Sequence, residues 1–280
     1  MLVVAALMYD LGRPWRIWHA LVFWNPRSVM FEVAWCVMLY SAVLALEFSP
    51  MLWERLGWTR VQRVMRAITI PLVGLGVILS TLHQSSLGSL YLIVPTKLDP
   101  LWYSPLLPLF FFLSSIAAGM AMVIFESGLS ARAFGKALEL SLMKQVARVM
   151  AVTLAVYLLL RFQDLVWRGV LSQVWAARGE TGLFWLETAL LAIPMALCFS
   201  GRVRSNPQGL FGCAVLVVAG FLANRLNVSV SGLERSAGVR YFPSWMEIAV
   251  TLTIVAAGFV FFNLAVRYLA VFRPAREAAS

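Results

Sequence analysis

The sequence has 280 residues, of which 61% are hydrophobic and 13% are charged, and its formal net charge at pH 7 is +10. An ordinary soluble domain carries about 25% charged residues, so this composition excludes that class and indicates a helical membrane protein. The basic residues lie mostly between apolar runs, where they suit lipid headgroups and protein partners. The positive charge therefore does not predict binding to nucleic acid.

Hydropathy predicts an all-α polytopic transmembrane helix bundle, with an N-terminal partial helix followed by seven full spans. Residues 1–9 are apolar but too few to cross a bilayer, which takes about 20 helical residues. The predicted full spans are 29–48, 67–93, 105–126, 142–163, 181–200, 209–226 and 246–272. We interpret residues 1–280 as a single integral membrane domain.

The orientation follows from the Lys and Arg residues, which are enriched on the cytoplasmic side of membrane proteins. Alternate connecting segments contain 13 of these residues in one set and ten in the other. We therefore predict a bacterial cytoplasmic (inner) membrane protein with a cytoplasmic C-terminus. Residues 10–28 then lie on the outer, periplasmic side.

Polar residues concentrate in the first connecting segment and in the second span. They are Asp10, Arg13 and His19 in the segment DLGRPWRIWH, and Ser80, His83 and Gln84 in the run STLHQSSLGSLYL. The last three share one helical face by their spacing. Polar groups inside a bilayer are costly and usually face protein, water or a ligand. Hydrogen bonds between helices are the alternative interpretation of His83 and Gln84.

Carboxylates mark a second pattern. Glu32 and Glu47 fall on one face of the first span, which suits a path for protons through the bilayer. Glu126 precedes Ser127 and Gly128 and either extends such a path or simply ends its span at the membrane surface.

Other polar and aromatic residues have structural interpretations. Arg161, Asp164 and Arg168 are spaced three and four residues apart, which is typical of an ion-pair set at a helix end. Tryptophans such as Trp102 are typical of the belt at a membrane interface.

The residues that commonly hold redox cofactors are few. The three cysteines, Cys36, Cys198 and Cys213, lie in apolar runs without a CxxC spacing, which argues against a disulfide or an iron–sulfur cluster. The two histidines, His19 in a connecting segment and His83 in a helix, do not form a facing helical pair. From this we expect a chain without haem.

Several motifs occur in an order that resembles the NrfD/polysulfide-reductase membrane-subunit family, most closely its HybB-like branch, which is associated with nickel–iron hydrogenases. They are DLGRPWRIWH, FWNPRSVMFE, ALEFSPMLWERLGW, LHQSSLGSLYL and PLWYSPLLPLFF. The resemblance covers essentially the whole chain and is densest over residues 10–126. HybB-like proteins begin with about two further helices, which this sequence lacks.

The resemblance implies a subunit that binds menaquinone or ubiquinone and carries neither haem nor an iron–sulfur cluster. It also implies a ferredoxin-like iron–sulfur subunit on the periplasmic face and, through it, a hydrogenase or molybdopterin catalytic subunit. Whether the chain itself takes part in catalysis or only positions the quinone is left open.

Combining the resemblance with the polar patterns gives two expected sets of site residues. The expected quinone-binding residues are Asp10, Arg13, His19, Ser80, His83, Gln84 and Tyr91. The expected proton-transfer residues are Glu32, Glu47 and Glu126. Two alternatives are a secondary transporter or ion-translocating protein, and a passive anchor in which these residues are structural.

Overall fold

The computed structural model describes residues 4, 6–8, 12–135, 138–238 and 241–268, and every regular element within them is helical. Eight of the helices receive labels. They are α1 (Val29–Arg55), α2 (Thr59–Ala67), α3 (Thr69–Leu90), α4 (Leu107–Phe134), α5 (Leu140–Trp167), α6 (Gly179–Phe199), α7 (Pro207–Leu226) and α8 (Trp245–Tyr268).

Within the described residues, seven helices are long and apolar enough to cross a membrane, which confirms the predicted all-α polytopic class. They are all of the labelled helices except the short α2. The predicted ends were less accurate, because α1 continues through Pro50 to Arg55 and α4 continues past Glu126 to Phe134. Hydropathy locates the residues that lie in the hydrocarbon layer of the bilayer. A helix can continue beyond that layer, because it ends only where its backbone hydrogen bonds end. Glu126 therefore does not end its helix.

The chain divides into two compact units. The first unit takes its described residues from Met1–His83 and Phe242–Ser280, and the second from Gln84–Tyr241. In the first unit, Val43 and Glu47 of α1 pack against Gly76 of α3.

Helices α4 to α7 form the core of the second unit. Small side chains line several of their contacts and let the backbones approach closely. The alanines that are fully or almost fully buried here are Ala117, Ala121, Ala147, Ala151 and Ala214.

Gly88 marks a close approach between α3 and the start of α4 in the second unit. A Cβ atom on Gly88 would lie 2.8 Å from the carbonyl oxygen of Leu107 and 2.9 Å from Cα of Pro108. Both are backbone atoms, so relief requires the two segments to separate.

We expect Gly88→Ala to destabilise the protein by about 1–3 kcal/mol because it overpacks this contact. Gly74→Ala on the same helix is the control, since a Cβ there meets nothing within 4 Å. The control should be neutral or stabilising by about 0.5–1 kcal/mol, as alanine favours helix over glycine. Thermal unfolding of the purified variants measures both effects, and equal midpoints would contradict the prediction.

Candidate functional site

The second unit encloses a carboxylate that four side chains hold. Glu187 of α6 is 0% exposed. Its Oε2 accepts hydrogen bonds from Trp102 Nε1 at 3.0 Å and from Asn227 Nδ2 at 2.9 Å. Its Oε1 accepts from Asn224 Nδ2 at 2.7 Å and forms an ion pair with Arg161. A buried carboxylate with this many donors is satisfied as an anion.

Arg161 of α5 therefore has a different partner from the one predicted. It is 5% exposed, pairs with Glu187 on the neighbouring helix and donates to the Tyr157 hydroxyl at 3.1 Å. Asp164 pairs instead with Arg168, at 2.8 Å. The expected set of three splits into one pair at the helix end and one pair that joins two helices. Spacing along one helix cannot reveal a partner on another, which is why the prediction was wrong for Arg161.

Asn224 and Arg225 extend the cluster from Glu187 towards α3 and α4. Arg225 Nη1 donates to Asn224 Oδ1 at 2.6 Å. Its Nη2 donates to Ser114 Oγ at 3.1 Å and to Gln84 Oε1 at 3.3 Å. A continuous chain of polar side chains thus runs from Trp102 to Gln84.

Two aromatic rings hold the Arg225 guanidinium. It lies 3.6 Å from the centroid of Phe111 and 4.4 Å from that of Phe221. No carboxylate pairs with Arg225 directly among the described residues. The cluster has two arginines and one glutamate, and so carries one excess positive charge. Such a charge in a water-poor interior favours an electron-rich or anionic ligand nearby.

A cavity of about 20 Å³ adjoins the cluster. Its polar lining residues are Trp102, Ser104, Tyr157, Arg161, Asp164, Arg168 and Asn224. A cavity of at least ~10–15 Å³ holds one water molecule, so this one is too small for an aromatic ring. Any larger ligand must contact the cluster from its Gln84 and Arg225 end, where both side chains are only half-buried.

The second unit contains three of the predicted site residues. Gln84 contacts Arg225 directly, whereas Tyr91 packs its ring 6.0 Å from that of Phe111, which Arg225 also contacts. Glu126 is exposed on α4.

The first unit contains the other predicted residues that are described. Arg13 is exposed before a short turn of helix, and the His19 ring lies between Trp18 and Phe23 at 4.3 and 5.2 Å. Ser80 and His83 lie on α3, and Nδ1 of His83 is buried without a hydrogen-bond partner among the described atoms. Glu32 and Glu47 lie on one face of α1. Asp10 falls outside the described residues.

Sequence reasoning missed the centre of the cluster. Trp102, expected in the interfacial belt, is 3% exposed and bonded to Glu187. Sequence reasoning placed Glu187 and Arg225 in the outer half of the membrane and considered Glu187 as a substitute proton carrier, but it included neither among the expected site residues. A usable signal was present, because opposite charges occur at similar depths in three consecutive spans.

The described residues include seven helices able to span a membrane, and the second unit contains a hydrogen-bonded cluster of two arginines and a buried glutamate; together they define a polytopic membrane protein with charged groups inside its second unit. The family described as "Polysulphide reductase, NrfD" matches residues 1–237. The chain belongs to this family, which confirms the resemblance inferred from the motifs.

Among its relatives is the "Probable Ni/Fe-hydrogenase 2 b-type cytochrome subunit" of Escherichia coli (strain K12). The two are 33% identical over 278 residues, which cover 97% of this chain and 71% of the relative. A protein of Nitratidesulfovibrio vulgaris is 40% identical over 270 residues, which cover 91% of this chain and 68% of the relative. The "Menaquinone reductase, integral membrane subunit" of the same organism is 27% identical over 97% of this chain and 71% of its own length.

The first of these names corrects one expectation. A b-type cytochrome is a haem protein, so the similarity to that relative contradicts the prediction of a chain without haem. The prediction rested on the number of histidines and their positions in the sequence, which do not reveal how helices face one another or which other side chains reach an iron.

Proposed function

We propose that this chain is the quinone-binding integral membrane subunit of a respiratory oxidoreductase complex. It would pass electrons between an iron–sulfur subunit and the quinone pool, with accompanying proton transfer. The observation that carries the proposal is membership of the NrfD family. The similarity to subunits named for a menaquinone reductase and for a Ni/Fe-hydrogenase supports it.

The half-buried end of the polar cluster suits a quinone headgroup. A quinone carbonyl accepts hydrogen bonds, and reduction without protonation places more negative charge on the same oxygens. Arg225 and Gln84 supply donors there, and the excess positive charge of the cluster would favour such anionic forms. Tyr91 adds an aromatic face and a hydroxyl beside Phe111. The other residues proposed to contact the quinone are Asp10, Arg13, His19, Ser80 and His83.

Quinone reduction takes up two protons, so the subunit needs groups that exchange them. We propose Glu32, Glu47 and Glu126 for this role. Glu187 is a poor candidate by comparison, because four donors stabilise its anionic form. The protein would supply positioning and protonation, whereas the redox chemistry belongs to the quinone.

We also propose a haem site, because the E. coli relative is named as a b-type cytochrome subunit. Histidine nitrogens are common axial ligands of haem iron. His83 fits one such position, because its Nδ1 is buried and has no hydrogen-bond partner among the described atoms. If haem is bound, it would supply one-electron transfer, and His83 would hold its iron instead of contacting the quinone. The absorption spectrum of the purified complex is the measurement that addresses this role.

The partners and location belong to the same proposal. We propose a bacterial inner-membrane protein with a cytoplasmic C-terminus and a periplasmic ferredoxin-like iron–sulfur subunit. Through that subunit it would serve a hydrogenase or molybdopterin catalytic subunit. Co-purification with an iron–sulfur protein tests the partnership, and full activity of the chain as a solitary transporter would contradict it.

Arg225→Gln tests the headgroup site. We expect the affinity of the assembled complex for a menaquinone analogue to fall about 10- to 100-fold, the usual loss when a hydrogen bond from a charged group is removed. Arg132→Gln is the control, because its guanidinium also stacks on a phenylalanine ring, at 4.4 Å from Phe211, but bonds to none of the cluster. Unchanged affinity in Arg225→Gln would exclude this site, and no binding by the unmodified complex would contradict the proposed function.

A further inference from the structure

Helix α2 connects two helices that are long and apolar enough to span a membrane. It begins at Thr59, soon after the spanning helix α1 ends at Arg55, and α3 begins at Thr69, soon after α2 ends at Ala67. The reversal after α1 uses Gly57, whose φ of +72° favours glycine over other residues. A nine-residue helix between two spans cannot extend far from the bilayer.

The side chains of α2 divide into a basic face and an apolar face. Arg60, Arg63 and Arg66 lie within about 120° of one another around the helix, since each residue advances by 100°. Val61 and Met65 lie on the opposite face and are partly buried, whereas Val64 lies one helical turn from Arg60, at the edge of the apolar face, and is 57% exposed. Protein therefore covers this apolar face only in part.

Contacts with the end of α1 hold α2 in a fixed orientation. Glu54 accepts hydrogen bonds from Gln62 at 2.9 Å and from Arg66 at 3.0 Å. Arg55 donates to the carbonyl oxygen of Tyr268. Arg60 and Arg63, in contrast, are exposed and make no ion pair or hydrogen bond with their side chains among the described residues.

Two tryptophans lie beside the start of α2. The rings of Trp53 and Trp58 stack with their centroids 5.1 Å apart, and Trp58 is 57% exposed. Tryptophan is enriched where headgroups meet acyl chains. The unpaired arginines therefore lie beside a residue type that favours headgroup depth.

We infer that α2 is a binding site for an anionic phospholipid. Arg60 and Arg63 bind the headgroup phosphate, and Val64 and Trp58 contact the adjoining part of the acyl chains. Lipid is the occupant that these features favour, because the partly covered apolar face belongs to a helix that connects two membrane-spanning helices and the exposed charges of Arg60 and Arg63 are complementary to phosphate.

The test uses the full chain, purified in detergent and titrated with phosphatidylglycerol or phosphatidylcholine, with bound lipids counted by native mass spectrometry. We expect a preference for phosphatidylglycerol. In the double variant Arg60→Gln/Arg63→Gln, the affinity for phosphatidylglycerol should fall about 30-fold, because each basic residue near an anionic surface contributes roughly fivefold. Arg60→Lys/Arg63→Lys keeps both charges and should retain most of the affinity.

Arg202→Gln/Arg204→Gln is the matched control, since it removes the same charge from another connecting segment. It should leave the affinity for phosphatidylglycerol near that of the unmodified chain. Three results would overturn the inference: equal affinity for the two lipids, unchanged affinity in the α2 glutamine variant, or an equal loss in the control. If the Arg60→Gln/Arg63→Gln variant kept its affinity for phosphatidylglycerol but lost a co-purifying protein, α2 would instead be a protein-binding surface.

Discussion

Replacing Glu187 with alanine is expected to lower the free energy of unfolding by about 3–5 kcal/mol, the range for breaking a buried ion pair. The substitution would leave Arg161 charged and buried, and would remove the acceptor shared by Trp102, Asn224 and Asn227. Thermal or denaturant unfolding of the purified chain measures the loss. We expect Glu187→Ala to be more destabilising than Gly88→Ala, because an unpaired buried charge costs more than an overpacked contact.

Two further variants separate the ion pair from general damage. Glu126→Gln removes a carboxylate that is exposed on α4 and should change stability by less than about 0.5 kcal/mol. The double variant Arg161→Met/Glu187→Met should be less destabilised than the sum of the two single methionine variants, since it leaves neither charge unpaired. Additive effects of the two single changes would contradict the pairing.

Glu32→Gln is expected to slow quinone-coupled turnover by about 10²- to 10⁴-fold, the usual contribution of a positioned proton-transfer group. Glutamine has nearly the same shape as glutamate but cannot exchange a proton in this way. Assembly of the complex and its affinity for a quinone analogue should stay near their normal values. Turnover and analogue binding, measured on the same preparation of the assembled complex, test this expectation.

His83→Ala should show the opposite pattern, with weaker binding of the analogue, because the proposed role of His83 is contact with the quinone. Loss of a Soret absorption band in this variant would instead assign His83 to haem iron.

Glu180→Gln is the control for Glu32→Gln, since Glu180 is a half-buried carboxylate at the start of α6 with no proposed role. Full turnover in Glu32→Gln would exclude Glu32 as the proton carrier and direct attention to Asp10 or Glu187.

The spans could be predicted because hydropathy responds to the depth of a residue in the bilayer. The seven spans were found in this way, although Glu126 was placed too near a helix end. Depth alone does not give the direction in which a side chain points around its helix. For that reason Gln84 was selected while its partner Arg225 was not, and Trp102 was assigned to the membrane interface although it bonds to Glu187.

The haem prediction illustrates a separate limit. The prediction assumed that haem iron needs two histidines on facing helices. A cofactor site depends instead on which side chains several helices bring together, and a count of histidines does not reveal this. His19 contacts aromatic neighbours, and Nδ1 of His83 is buried without a hydrogen-bond partner in the part of the chain that the structure describes. Neither fact could be read from the sequence.

The position of Asn224 restricts which residue types can occupy it. Its amide nitrogen donates to Glu187, and its carbonyl oxygen accepts from Arg225. Aspartate has the same shape but would place an oxygen against the Glu187 carboxylate, and leucine would satisfy neither neighbour. A single side chain must present opposite polarity in two directions. A saturation library at this codon should therefore recover asparagine almost alone, although no charge or reactive group of its own explains such intolerance.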